Sequence, residues 1–398
     1  MDSLKDSIRT LSGNYLQDVI SIRRHLHRHP ELSFQEFETA SFIEGKLREY
    51  GIPFKSGVAK TGIVALIKGK NPEHRVVALR ADMDALPIRE QNNHEYCSLN
   101  EGIMHACGHD AHMASLLGAA RILNELKSDF KGTVKLIFQP SEESYPGGAR
   151  VMIEEGVLED PAPEVIFGQH VFPELDAGFV GMRPGKYMAS TDEVFITVRG
   201  KGGHAAIPDK VIDPVLIASH IIVALQQVVS RKASPLMPTV LSFGKIYGDG
   251  KTNIIPDEVK LEGIIRTFDE DWRNEVKMQV EKIACGIAEC MGGSCEVFID
   301  KGYPAVVNDE ALTQRAMDYT VDYLGNERFR HLDMRMTAED FSYYARKIPG
   351  CFFRLGTRNE DRGITSNLHS ATFDIDERSL ETGMGIMAWL AVNELARD

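Results

Sequence analysis

Apolar and polar positions follow two periods along the first half of the chain. Residues 16–26 and 37–47 carry apolar side chains at helical spacing. Short apolar runs follow at 62–67, 76–79, 134–138 and 165–167. Each is rich in β-formers and bounded by polar residues, which predicts buried strands. Helical stretches at 111–126 and 148–155 lie among them. The pattern predicts an α/β layer with helices packed on a central sheet.

The middle of the chain changes character. Strands are predicted at 194–198, 240–246, 259–267 and 295–299, with helices at 213–229 and 272–291. Asp213 is placed to cap the first of these helices, with Pro214 at its first turn, and Gly292-Gly293 ends the second. The order βαββαβ is that of a ferredoxin-like α+β sandwich. It reads as an insertion over 187–300, because an α/β pattern resumes in 301–398 and completes the domain begun in 1–186. There the pattern predicts helices at 310–324, 338–345 and 380–396 and a strand at 351–355. The helix at 213–229 is apolar on more than one face, V-L-I-A-S-H-I-I-V-A-L over 215–225. One stripe can cover the inserted sheet, and the remainder predicts a homodimer through this domain.

Composition narrows the classes. A length of 398 residues exceeds one typical core and fits two domains. The net charge of −13 opposes binding to nucleic acid or to an anionic membrane surface. No run of about 18 apolar residues predicts a membrane span, and the first ten residues lack the apolar core of a secretory signal. Six scattered cysteines do not form a disulfide framework, so a cytoplasmic setting is expected.

The chemistry gathers beyond strand ends, where sites form in open α/β sheets. The strand at 76–79 runs towards Asp82 and Asp84, that at 134–138 towards Glu142 and Glu143, and that at 165–167 towards His170. The densest stretch is M-H-A-C-G-H-D-A-H at 104–112. Gly108 permits a tight turn, so Cys107 and His109 can converge on an ion, while Asp110 can cap the following helix. His112 and His105 read as support. Thiolate and imidazole suit zinc and its first-row neighbours. Of two adjacent glutamates, one can ligate a metal and the other accept a proton from water, a division that suits metallohydrolases. His170 and His369 are isolated histidines. The rival chemistry is a Cys107 nucleophile with a histidine base, which leaves Glu142 and Glu143 unexplained.

Eight motifs then occur in order: R-R-H-L-H-R-H-P-E-L at 23–32, L-R-A-D-M-D-A-L-P at 79–87, M-H-A-C-G-H-D-A-H, G-K-G-G-H-A-A-I-P at 200–208, N-I-I-P-D-E at 253–258, R-T-F-D at 266–269, E-D-F at 339–341 and L-H-S at 368–370. On these, nearly the whole chain resembles the N-acyl-amino-acid amidohydrolases (hippurate hydrolases and their relatives) of the aminoacylase–carboxypeptidase metallopeptidase superfamily. The resemblance implies an exopeptidase-like catalytic domain with a mostly parallel sheet and an inserted domain that serves as lid and dimerisation module. It implies two divalent ions (zinc, manganese, nickel or cobalt) held by Cys107, His109, Glu143, His170 and His369, with Glu142 as general base. Asp84 matches an aspartate that orients a ligand, and Asp82 stands where related branches place a metal histidine. His204 matches a histidine that reaches the active site, often the partner's. Asn253 and Arg266 match groups that hold the substrate carboxylate. The implied reaction cleaves an N-acyl amino acid to a carboxylate and a free amino acid.

Ser144-Tyr145-Pro146 departs from the glycine run common after the glutamate pair and places Tyr145 where it could narrow the pocket. Two other readings remain: a dipeptidase or carboxypeptidase of the same superfamily, and a non-catalytic metal-containing binder of amino-acid conjugates.

Overall fold

The computed structural model describes residues 2–397. In chain order the first elements are α1 (Asp2–Arg28), α2 (Phe37–Glu49), β1 (Phe54–Val58), β2 (Gly62–Lys68), β3 (Val76–Asp82), α3 (His109–Glu125), β4 (Thr133–Gln139), α4 (Gly148–Glu154), β5 (Val165–Asp176) and β6 (Val180–Met182). The middle of the chain forms β7 (Gly185–Met188), β8 (Asp192–Arg199), β9 (Gly203–His204), α5 (Pro214–Gln227), β10 (Thr239–Tyr247), β11 (Ile254–Ile255), β12 (Glu258–Thr267), α6 (Glu270–Cys290) and β13 (Ser294–Lys301). The last elements are β14 (Val306–Asn308), α7 (Glu310–Leu324), β15 (Phe329–His331), α8 (Ser342–Ala345), β16 (Gly350–Arg358) and α9 (Ser379–Leu395).

These form two compact units. The first runs to Gly185, resumes over Val307–Asp333 and resumes again from Asp340; the second comprises Lys186–Val306 and Met334–Glu339. Residues 334–339 lie outside the insertion read at 187–300. They join the second unit through backbone bonds from Arg335 to Tyr187 and from Ala189 to Arg335 and Thr337.

The first unit holds an eight-stranded sheet in the order β1-β2-β4-β3-β5-β16-β6-β15. Four of its seven pairings are parallel: β3 with β4, β3 with β5, β5 with β16, and β6 with β15. Every residue of β3 and β4 is buried, as expected of central strands covered on both faces. Against the sheet lie α3 and α9, with α1 packed on both helices, all joined in one core that includes Val19, Leu117, Phe138, Met384 and Trp389. Burying an aliphatic or aromatic side chain of this kind contributes about 1.5–3 kcal/mol.

Short strands such as β6, β7, β14 and β15 are absent from the sequence pattern, and three further differences have a local reason. The strand predicted at 165–167 continues through His170 to Asp176, so that histidine sits within β5, opposite Arg354 of β16. The helix predicted at 338–345 is only α8, because Asp340 is held by Arg80, Gln139 and the Ala149 amide. The edge strand β1, F-K-S-G-V, carries too few β-formers to announce itself.

The second unit is a four-stranded antiparallel sheet, β10-β12-β8-β13, with α5 and α6 packed on it. Asp213 accepts the amides of Val215 and Leu216, capping α5. The segment Pro214–Lys232 is long and apolar enough, by composition, to cross a membrane. In the fold, Ile217, Ala218, Ile221, Leu225 and Val228 are buried in the core of the second unit. Val215, Leu216 and Val223 on the same helix are exposed, the last by 73%.

Candidate metal centre

The turn before α3 brings Cys107 and His109 together. Gly108 has a φ of 82°, and a Cβ there would stand 2.5 Å from Val171 Cγ2, so only glycine fits. Helix α3 begins at His109 with no side-chain cap. Asp110, expected as that cap, is buried and instead accepts bonds from Arg23 Nε at 2.7 Å and His27 Nδ1 at 2.8 Å. A buried carboxylate facing a guanidinium serves that pair, not the helix amides.

After β4 the chain makes a second constrained turn. Ser141 has a φ of 50°. Three successive amides there end on carboxylates: Ser141 on Glu36 Oε1 at 2.9 Å, Glu142 on Asp84 Oδ1 at 2.9 Å, and Glu143 on Asp84 Oδ2 at 3.0 Å. The Ser33 hydroxyl donates to Asp84 Oδ2 at 2.6 Å. The turn closes through the Gly148 amide on the Ser141 carbonyl. A Cβ on Gly148 would stand 1.7 Å from the Pro140 oxygen, so this residue also must be glycine.

The donor atoms converge in the first unit. Cys107 Sγ lies 3.5 Å from His170 Nε2 and 3.3 Å from His369 Nε2. His369 Nε2 lies 3.3 Å from Glu143 Oε1, and His109 Nε2 lies 3.9 Å from the same oxygen. Cys107, His109 and His170 form one set of donors within 4.8 Å of one another; Cys107, Glu143 and His369 form a second, and Glu142 falls in a third with His109 and Glu143. Around a tetrahedral zinc, neighbouring N and O donors stand about 3.3 Å apart and S and N donors about 3.6 Å. The separations match that scale, and Cys107 is common to two sets.

The residues also fit cations by what they lack. Glu143 Oε1 and both ring nitrogens of His109 are buried without a hydrogen-bond partner, an expensive arrangement unless an ion is ligated there. Burial, then the charges of Glu143, Glu142 and Asp82, push the Cys107 thiol well above its ordinary range. Burial opposes charge on His109, yet Asp82 and Asp84 push it up to about 10. His170, buried and near Arg354, is driven down to the neutral form that ligates. The rises at Cys107 and His109 share one contribution, carboxylate charge concentrated at this point.

Neighbouring groups orient the donors. Asp84 Oδ1 stands 3.3 Å from His109 Nδ1. His170 Nδ1 bonds the Val171 carbonyl at 2.8 Å, leaving Nε2 towards Cys107. His369, at a φ of 60°, donates its amide to the Ala106 carbonyl at 2.8 Å and is half exposed, so the cluster opens to the surface there. Asp82 and His112 bond each other at 2.5 Å, Asp82 also takes Arg80, and His112 Nε2 takes the Val171 amide, which commits both ring nitrogens of His112, while Asp82 and His112 also form a donor set with His109. His105 is buried without a polar partner, and burial pushes it down to about 3. Sequence reasoning missed Ser33, Glu36 and Asp340. The amide of Asp340 donates to Glu142 Oε1 at 3.3 Å; E-L-S-F-Q-E and E-D-F, both acid-bearing, were the available signals.

His204, Asn253 and Arg266 belong to the second unit. His204 lies on β9 paired with Ile254 of β11, and the Ala205 amide donates to the Asn253 carbonyl, so these two exposed residues are neighbours. Arg266 lies on β12 opposite Val240, half-buried. Tyr145 is exposed, its hydroxyl taking a bond from Arg150.

Residues 78–393 match the model of peptidase family M20/M25/M40. An N-acyl-L-amino acid amidohydrolase of Geobacillus stearothermophilus is 44% identical over 76% of this chain and 81% of its own length. An N-acetyl-L-cysteine deacetylase of Bacillus subtilis is 41% identical over 95% of this chain and 88% of its own. Among solved structures, a dinuclear metal-binding M20 peptidase of Bacillus subtilis is 37% identical with a TM-score of 0.82, covering 96% of this chain and 99% of its own.

Proposed function

The chain belongs to peptidase family M20/M25/M40, and on that premise we propose that it is a metal-dependent amidohydrolase cleaving N-acyl amino acids to a carboxylate and a free amino acid. The convergence of Cys107, His109, Glu143, His170 and His369 beside Glu142 carries this reading. The names of the amidohydrolase and deacetylase relatives support the substrate class.

These five residues would hold two divalent ions. When bound, such a pair lowers the pKa of water towards neutrality and polarises a carbonyl oxygen. Glu142, held by the amide of Asp340, accepts a proton from the attacking water as its oxygen bonds the amide carbon. Glu142 then returns that proton to the nitrogen as the C–N bond breaks. Asp84 acts through others: it clamps the amides of Glu142 and Glu143 and faces His109. The resemblance assigns His204 to the carbonyl oxygen and Asn253 with Arg266 to the free carboxylate, which a guanidinium can hold bidentately. One thiolate among imidazoles and a carboxylate favours zinc, cobalt or nickel over magnesium or calcium, with manganese, the hardest of the four ions considered, favoured least.

The resemblance assigns the second unit the role of lid and dimerisation module. The exposed Val215, Leu216 and Val223 of α5 support a homodimer built through it. All six cysteines are free thiols, which supports a cytoplasmic setting. Release of free amino acid from N-acetyl and N-benzoyl amino acids, against matching dipeptides, tests the reading; a preference for dipeptides would overturn it.

A further inference from the structure

A second cluster of metal-type donors lies in the first unit, apart from the centre above. His27, near the end of α1, and Glu90 and His94, in the loop leading to the 104–112 turn, bring His27 Nε2, Glu90 Oε1 and His94 Nε2 within 4.8 Å of one another. Glu90 Oε1 stands 3.2 Å from the first nitrogen and 3.4 Å from the second. These are the edges, about 3.3 Å, of a tetrahedral zinc site.

A His27 protonated on both nitrogens can bond Asp110 and Glu90 Oε1, and Asn92 Nδ2 donates to the same Glu90 oxygen at 3.0 Å, so protons leave only His94 Nε2 of this cluster without a partner. Asp110 only accepts, so the 2.8 Å bond from His27 Nδ1 places a proton on that nitrogen. A neutral His27 then turns the lone pair of Nε2 on a carboxylate oxygen. A second proton on His27 would mend that pair but would leave His94 Nε2, which is buried without a hydrogen-bond partner, facing the same oxygen. One cation satisfies all three donors. The bond to Asp110 is the carboxylate–histidine–metal arrangement that fixes a ligating imidazole. Four carboxylates, Glu90, Asp110, Asp374 and Glu377, surround the cluster against the guanidinium groups of Arg23 and Arg24. Asp374 Oδ2, 4.0 Å from His94 Nε2, is held by the Tyr96 hydroxyl and flanks the fourth position. The His94 side chain is 19% exposed, which leaves a way in.

We propose that His27, Glu90 and His94 form a third divalent-metal site of zinc type, separate from the catalytic pair. It ties α1 to the 86–104 loop and, through Asp110, braces the turn that carries His109. Two imidazoles and a carboxylate select a borderline first-row ion. The role is structural, because the three residues form a donor set that shares no member with the catalytic sets named above.

The test is zinc content. The full chain, stripped with chelator, is reloaded with excess zinc chloride, desalted and analysed by mass spectrometry for zinc per chain. His94→Gln is expected to hold one equivalent less than wild type, and Glu143→Gln to lose zinc from the catalytic pair while keeping this equivalent. The readout is the difference between wild type and His94→Gln, so it stands even if the catalytic pair binds otherwise than proposed. His94→Asn gives the same comparison should glutamine disturb the loop. Equal zinc in wild type and both His94 variants, folded by circular dichroism, would overturn the proposal.

Discussion

The amide of Glu142 donates to Asp84 Oδ1 at 2.9 Å, so the residue proposed as base is aimed by an aspartate 58 positions earlier in the chain. The other oxygen of the same carboxylate takes the Glu143 amide and the Ser33 hydroxyl. Asp84→Asn puts an NH2 group where one of these donors needs an acceptor. Metal affinity or kcat is expected to fall about 10–100-fold with the fold retained. Steady-state kinetics with metal analysis checks it, and unchanged values for both would remove Asp84 from the positioning role.

Glu142→Gln keeps the shape and the carbonyl acceptor for the Asp340 amide but cannot take a proton. The variant is expected to bind metal as wild type does and to lose about 10²–10⁴-fold in kcat. Near-full turnover in the metal-loaded variant would mean that another group moves the proton.

Gly148→Ala tests the turn behind the glutamates. Its Cβ would fall 1.7 Å from the Pro140 oxygen, which is backbone and has little freedom to yield. Overpacking of this kind costs about 1–3 kcal/mol, read as a lower urea midpoint, and activity is expected to fall further than stability because Glu142 and Glu143 shift. A variant with wild-type midpoint and rate would show that the close approach constrains nothing.

Much of this site was legible because its groups follow strands or occupy a glycine turn. Cys107, His109, Glu142 and Glu143 could be named from local pattern, since a soft-ligand cluster and a strand-end acid pair are both local signals. Asp84 and Asp340 are different. Their importance lies in which distant amides and guanidinium groups they meet, Asp84 at the 141–143 turn and Asp340 at Arg80 and Gln139, and no spacing in the chain encodes those meetings. Asp110 misled for the same reason: its place before α3 fits a cap, while α1 supplies stronger donors. The periodicity of α5 and α6 revealed the inserted sandwich, but the return of residues 334–339 to it is a backbone pairing without a side-chain signature.

Asp376 gives a prediction in pH. Burial works against its charge, but bonds from Arg378 and Asn359 hold its carboxyl down to about 2. A carboxyl lowered in the folded state stabilises above its unfolded value, near 3.8, and that contribution is lost as pH falls towards 2. Arg378 is exposed, so solvent screens the pair and the contribution is small. Asp376→Asn is expected to lower Tm at pH 7 and to narrow its gap from wild type between pH 4 and 2. A gap that stays constant over that range would contradict the assignment.

The most direct test of the account is release of free amino acid from an N-acetyl amino acid by the stripped and the metal-reloaded chain. The account predicts no turnover after chelation, recovery with a divalent first-row ion, and no recovery in Glu142→Gln despite equal metal. Turnover that persists without metal and is lost when Cys107 is alkylated would contradict it and would mark the cysteine as the nucleophile.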